Sequence, residues 1–573
     1  MHFKAVLSLA ASALVLPAAN LAALGTGDGS DAANAIDITQ SEIDLGTSSA
    51  YWDSANSFWS VNGGLYYANS GVLNFGTASS GNDFAVGVTT ADNVLTISGG
   101  TVTDYKGMIG YNNGSGTVNV TGASAAWSNS NWLYVGHSGT GTLNITGGAS
   151  VTNTFGYICF NPGRTGTVTV NGAGSRWSNS AELNVAAYGT GTLNIQDGGT
   201  VSNTNSYVAG SSSSSGTVTV SGADSRWTTT GAFYAGFNGT ANVNILSGGT
   251  LSSAEARLGR YANSHGTVTV NGSSSTWTSS GVMYVGDRGY GTLDIQAGGH
   301  VSNTNGYIGY YTGGSGTVTV SGAGSTWTNS GNLELGTDGT GTLNIEDGGA
   351  VTSVGCKLGH SGTGTVNVRG INSSLSCTGD MIVGYGITGT LNVEGGALVS
   401  SSHGYIGYAA SSASGTATVT GSGSLWSCET DINVGYFGTG TLTIADGALV
   451  TGTTVYVGSV GESAIYLNSG FLALEGSGTD DLNTLNALLN RGTAVYAWNG
   501  TDYVAITSSS SALISCEYYE DITAFDALDG YGLTGAYTVL TSVPNAVPEP
   551  ATYALLGGLG ALGMAMYRRR KNR

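Results

Sequence analysis

The sequence predicts an all-β fold: a parallel β-solenoid of about 15 coils, with end caps and a C-terminal transmembrane helix. Three observations lead there. Trp127, Trp177, Trp227, Trp277 and Trp327 stand 50 residues apart without a slip. The text around them repeats as well: Gly216-Thr217-Val218-Thr219-Val220 returns as Gly266-Thr267-Val268-Thr269-Val270 and as Gly316-Thr317-Val318-Thr319-Val320. Glycine supplies 96 residues and proline only 5. A fixed period marks a stacked repeat architecture. Scarce proline fits a backbone whose N–H groups pair above and below, and glycine fits its corners.

The repeat has two halves of about 25 residues each. One runs from Gly166-Thr167-Val168-Thr169-Val170 through Trp177 to Leu183-Asn184-Val185. The other runs from Gly191-Thr192-Leu193-Asn194-Ile195 through Val201 to Tyr207-Val208. Both follow one plan: strand, Gly corner, strand, polar turn, strand. Val168 and Val170 alternate with Thr167 and Thr169, and Leu193 and Ile195 with Thr192 and Asn194, so the valines, leucine and isoleucine face the core. The half-repeat symmetry argues against a four-stranded propeller blade. The usual crossover preference makes the solenoid right-handed.

Stacking then predicts a side-chain column: Val151, Trp177, Val201, Trp227, Leu251, Trp277, Val301, Trp327, Val351. Alternating large and small residues interdigitate along the axis. Core packing is the first reading of the tryptophans, and a row of exposed sugar-stacking aromatics is the second. At about 4.8 Å per coil the rod is roughly 70 Å long. The pattern loosens in one place: Leu375 takes the tryptophan column with two residues lost, and Trp426 restores the tryptophan.

Charged residues make up only 9% of the chain, and the formal charge is -19. Five of the 16 basic residues fall in the last six positions. Without both ends the rod keeps about 10 basic against about 34 acidic residues. No basic footprint is left for nucleic acid or an anionic membrane. Five scattered cysteines make no disulfide framework. Cys377 and Cys428 share a column two coils apart, roughly 10 Å, too far for a bridge.

Residues 1–25 read as a signal peptide: Lys4, then an apolar run from Ala5 to Ala19. Residues 26–90 form an N-terminal cap, 91–460 the repeats and 461–545 a C-terminal cap region. In that last region Thr479-Asp480-Asp481 opens a short helix carrying Leu482, Leu485, Leu488 and Leu489. Capping is needed because an open β edge invites aggregation. Residues 546–573 have three parts: Pro548-Glu549-Pro550, an apolar segment from Ala551 to Tyr567, and Arg568-Arg569-Arg570 with Lys571 and Arg573. The apolar segment is at the lower limit for spanning a bilayer, and the basic cluster holds its end in the cytoplasm.

This three-part tail resembles the PEP-CTERM sorting signal of Gram-negative bacteria. The resemblance implies recognition by a membrane-embedded exosortase through Pro548, Glu549, Pro550, Arg568, Arg569 and Arg570, a transient stay in the inner membrane, and delivery to the cell surface or extracellular matrix. The unit Gly291-Thr292-Leu293-Asp294-Ile295, Gly298-Gly299, Tyr307-Ile308-Gly309 and Trp327 similarly resembles the repeats shared by type V secretion and PEP-CTERM proteins. That likeness implies an autotransporter-like surface rod.

No catalytic, cofactor-binding or metal-ligating residue is assigned. Asp197 and Asp347 share a column six coils apart, and His137, His265, His300, His360 and His403 fall in unlike places. Polysaccharide cleavage needs converging carboxylates. The expectation is a non-enzymatic structural or adhesive surface rod, with extracellular polysaccharide as its partner. The alternative is a carbohydrate-binding or polysaccharide-cleaving β-helix protein.

Overall fold

The computed structural model describes residues 92–459 without interruption, with shorter stretches between 35 and 88 and between 461 and 542. Fifteen coils follow one another from Asp92 to Val457. Each coil gives one strand to each of three parallel ladders. In one coil these are Thr165–Asn171, Arg176–Asn179 and Leu183–Val185. In the next they are Thr190–Gln196, Thr200–Asn203 and Ser206–Val208. Val168 lies opposite Leu193, Trp177 opposite Val201 and Leu183 opposite Ser206. The chain is a parallel β-solenoid, as the period requires.

The first ladder follows the expected alternation. Val168, Val170, Leu193 and Ile195 are fully buried. Thr167, Thr169, Thr217, Thr219, Thr267 and Thr269 lie half-buried on the outer face. Asparagines on that face bond coil to coil, Asn392 to Asn367 and Asn367 to Asn344, each at 2.8 Å. After the third ladder the backbone turns through positive φ. Gly309 adopts φ +69, and a Cβ there would stand 2.2 Å from the Thr340 carbonyl oxygen. Only glycine fits at so close an approach.

The second ladder holds the tryptophan column, with every expected neighbour in register from Val151 to Val351. Trp177, Trp227, Trp277 and Trp327 are fully buried. The exposed sugar-stacking reading of these residues is therefore wrong.

The third ladder explains why the period is 50 and not 25. Its first inward position is large in tryptophan coils: Leu133, Leu183, Phe233, Met283, Leu333. In the other coils it is small: Gly156, Ser206, Ala256, Gly306, Cys356. Each indole reaches over the small residue of the coil before it. A Cβ on Gly156 would meet Trp177 Cζ2 at 2.9 Å.

Burying an indole also buries its N–H, which then needs an acceptor. The residue two places after each valine supplies it. Trp177 Nε1 donates to Asn153 Oδ1 at 2.7 Å, Trp227 to Asn203 at 2.8 Å, and Trp327 to Asn303 at 2.7 Å. Asn153 and Asn303 pass the chain on to Asn179 and Asn329. Trp127 donates to Asp104 Oδ2 at 2.6 Å, and Trp426 to Ser401 Oγ at 3.3 Å. Trp277 departs from the pattern: its Nε1, Ser253 Oγ at the acceptor position and Ser279 Oγ are all buried without a partner. Ser253 makes no bond to it, although Ser401 in the same position accepts from Trp426.

The slipped coil follows the same logic. Leu375 pairs with Val351 and Val399, keeping the column. The two missing residues come from the turn at 359–362, where the comparable turn at 309–314 is longer. Leu375 has no N–H to satisfy, and its acceptor position holds Ser353. The five cysteines are unbonded, four of them buried.

The ladders run past the expected limits of 91 and 460. Gly64–Asn74 pairs in parallel with Asp92–Asp104, and Ala464–Asn468 and Phe471–Glu475 extend the first and second ladders. Backbone pairing does not depend on the repeat text, and a terminal coil packs on a cap instead of an identical neighbour. Antiparallel strands then end the stack. Glu42–Asp44, Ser49–Asp53 and Phe58–Asn62 form a meander at one end. At the other, Phe471–Glu475 meets Tyr537–Ser542, which meets Ile514–Tyr519. Leu488 is helical and buried; the rest of the expected short helix, the signal peptide and Ala551–Tyr567 lie outside the described residues. Among the described residues no helix is long and apolar enough to cross a membrane.

Two substitutions test the indole column. Ser253→Asn should give Trp277 its acceptor and raise stability by about 1 kcal/mol in chemical denaturation; a loss of stability would show that the site lacks room. Asp104 stands where three other coils carry Asn and three carry Ser. Burial pushes its carboxyl well above the usual range, although the Trp127 N–H opposes this. A raised folded pKa means that stability is lost as pH rises above about 3.8, through the folded value. Asp104→Asn should therefore stabilise the rod at pH 7, by about 1–2 kcal/mol, with the gain vanishing in acid. A gain independent of pH would contradict the assignment.

Candidate functional site: an aromatic outer face on the third ladder

The third ladder alternates like the others, so each inward Leu–Val pair leaves one side chain pointing out between them. In register these outward residues run Tyr134, Tyr157, Asn184, Tyr207, Tyr234, Arg257, Tyr284, Tyr307, Glu334 and Lys357. The column continues through Ile382, Tyr405, Asn433 and Tyr456. Tyrosines on successive coils stack: Tyr134 on Tyr157 at 5.2 Å between ring centroids, Tyr207 on Tyr234 at 5.1 Å, and Tyr284 on Tyr307 at 5.2 Å.

A second column stands three residues further on, in the turn. It holds His137, Phe160, Ala187, Gly210, Phe237 and Arg260, and later Tyr310, His360, Tyr385, Tyr408 and Tyr436. Its rings meet the first column edge-on: Phe160 with Tyr157 at 5.4 Å, Phe237 with Tyr207 at 5.0 Å, and Tyr310 with Tyr307 at 4.8 Å. The result is a ribbon of half-buried aromatic rings along one side of the rod. Burial pushes the phenols of Tyr134, Tyr207 and Tyr284 up to about 12, with neighbouring phenols and carboxylates adding to it.

Where the tyrosine column is interrupted, other groups close the break. The Arg257 guanidinium lies 4.0 Å from the Tyr284 centroid and 2.7 Å from Asp287, which Arg260 also reaches at 3.2 Å. Glu334 and Lys357 pair at 3.2 Å. Asn433 is covered by Tyr436, whose ring stands 5.6 Å from Tyr405 and 5.5 Å from Tyr408. At Asn184 a cleft of about 580 Å³ opens, lined in part by Tyr188 of the same coil.

The histidines belong to the aromatic surface. His137 packs on Tyr134 and Phe160, His265 stacks on Tyr290 at 4.6 Å, and His360 stacks on Tyr385 at 5.1 Å. His403 stacks on Tyr405 and meets Asp380 at 3.1 Å, while His300 bonds Thr326. Asp197 and Asp347 both sit in positive-φ turns, and the structure does not bring them together. Among the described residues no group of three or more His, Cys, Asp or Glu side chains is placed to hold a metal ion.

The ribbon was not singled out from the sequence. The signal was there, in Tyr157, Tyr207, Tyr307 and Tyr405 followed each time by an aliphatic residue. It was hidden because a strand position with a tyrosine reads equally well as core or surface.

Pro548, Glu549, Pro550, Arg568, Arg569 and Arg570 lie outside the described residues. Residues 546–571 match the PEP-CTERM protein-sorting motif. The chain thus combines a β-solenoid with the sorting motif that marks exported proteins for an exosortase. Among solved structures it is similar to the crystal structure of a hyper-glycosylated fragment of TibA, its glycosylation catalysed by TibC. Identity is 16%, the match covers 70% of this chain and 99% of that one, and the TM-score is 0.35. Among curated proteins none matches the chain.

Burial, with the Lys106 charge adding to it, holds the His137 imidazole down to about 4. Between pH 6.5 and 4 the unfolded chain takes up a proton that the folded chain refuses, so stability falls as pH drops through this window. His137→Phe keeps the ring contacts and cannot be protonated. It should flatten the pH dependence of amide exchange in residues 132–160 across that window; an unchanged slope would place the titration elsewhere.

Proposed function

We propose that this protein is an exported, exosortase-sorted rod, a structural or adhesive element of the cell surface or extracellular matrix, without catalysis of its own. The observation that carries the reading is an unbroken in-register stack of fifteen coils in a chain that ends in a sorting motif. A signal peptide opens the chain, and the apolar segment Ala551–Tyr567 holds it in the inner membrane until sorting. The partner is extracellular polysaccharide. Outward Thr, Asn and Tyr recur at one coil spacing over the whole length, so weak contacts at equivalent points add as avidity. Carboxylates and histidines sit in turns, ion pairs and ring stacks, which favours binding over cleavage.

The test has two arms. Deleting residues 547–573 should leave the rod folded and exported but not delivered to the surface, as cell fractionation would show; normal surface delivery would refute the sorting role. Purified protein incubated with a polysaccharide panel should co-sediment with polymer and release no oligosaccharide. Release of defined products would replace the rod reading with an enzymatic one.

A further inference from the structure

Asn184 is the one break in the tyrosine column that no neighbour fills among the described residues. Its own turn explains this. The position that Tyr436 occupies over Asn433 is held by Ala187 in the Asn184 coil and by Gly210 in the next. Three small residues in a row thus cut a cleft of about 580 Å³ into the ribbon. Its lining includes the rings of Tyr157 and Tyr207 on the third ladder and of Phe160, Tyr188 and Phe237 in the turns. Glu182 and Asn184 add a carboxylate and an amide to its lining.

The spacing selects the guest. Elsewhere in the column one coil step gives a direct ring stack, at 5.1–5.2 Å. Tyr157 and Tyr207 are two coil steps apart, roughly 10 Å. Two van der Waals contacts of about 4 Å each fill about 8 Å of this. One ring fits the remainder, as the one-coil tyrosine stacks show, and the polar lining decides which kind. The polar groups select further. A carboxylate, an amide and two phenols offer acceptors and donors to several hydroxyls. Glu182 repels anions, as does a chain of net charge -19.

We infer that the cleft above Asn184 binds one neutral pyranose ring, sandwiched between Tyr157 and Tyr207 and hydrogen-bonded by Glu182 and Asn184. This rests on the proposed role of the rod as a polysaccharide-binding surface and gives that surface one defined subsite. The Glu182 carboxylate stands next to the Tyr207 phenol and, with burial, pushes it up to about 12.

The full exported protein is titrated by calorimetry with cellohexaose, maltohexaose and chitohexaose, and with a hyaluronan hexasaccharide as the anionic counterpart. At least one neutral hexasaccharide should bind, at least tenfold more tightly than the anionic one. Asn184→Tyr completes the column, and Ala187→Tyr copies the cover that Tyr436 gives Asn433. Both should lower affinity at least tenfold while leaving the unfolding midpoint unchanged or raised. Tyr207→Ala should weaken binding similarly, and Arg226→Ala, exposed on the second ladder away from the ribbon, should stay within twofold of the parent. Should both filled variants bind like the parent, the cleft is not the subsite, while the rod keeps its role. If no neutral hexasaccharide binds, the subsite is refuted; co-sedimentation with whole polysaccharide then decides the broader reading separately.

Discussion

The indole Nε1–H of Trp177 sits where no water reaches, and its bond to Asn153 couples that coil to the one before it. A buried donor without an acceptor costs about 1–3 kcal/mol. The pair therefore fixes more than itself. It calls for an acceptor two places after the column residue, Asn153, Asn203 and Asn303 or, in other coils, Asp104 and Ser401, and for a small residue in the third ladder where the indole lies, as at Gly156. Tryptophan, an acceptor and a small residue thus recur together, and the natural unit is two coils. Where Leu375 replaces the tryptophan there is no N–H to satisfy, and Ser353 and Cys356 stand at the two partner positions.

Putting the tryptophans inside leaves the outer aromatic surface to tyrosine. A phenol tolerates that position because its ring packs on the next coil while its hydroxyl stays wet. Parallel in-register pairing places the same residue type at one coil spacing, so rings that would be isolated on a globular surface become a continuous ribbon. The ribbon stabilises the stack as well as covering it. Arg257 shows this: it fills a tyrosine's place and neutralises the fully buried Asp287 from outside.

The solenoid, its column and its inward residues were legible because period and alternation are properties of the chain alone. Val168, Val170 and the tryptophans each had one consistent place. The acceptor column was not legible: Asn153 looks like any turn asparagine until its coil is laid against Trp177. The aromatic ribbon escaped for a related reason. Tyr157 and Tyr207 are 50 residues apart, and what makes them neighbours of one cleft is the absence of a ring at Asn184. A sequence displays recurring residues readily and displays a missing one poorly. The end coils were placed too short because Gly64–Asn74 keeps backbone pairing after the repeat text has gone.

A one-dimensional stack confines the effect of each change to its neighbours. Inside, a defect such as Trp277 over Ser253 remains unrelieved by anything further along. Outside, the same locality gives freedom. Asn184, Ala187 and Gly210 interrupt the ribbon while Leu183, Val185 and Val208 beneath them stay fully buried. A binding cleft can therefore arise from three small residues on the surface without disturbing the core, and a rod built this way can acquire local specificity coil by coil while its length and register stay fixed.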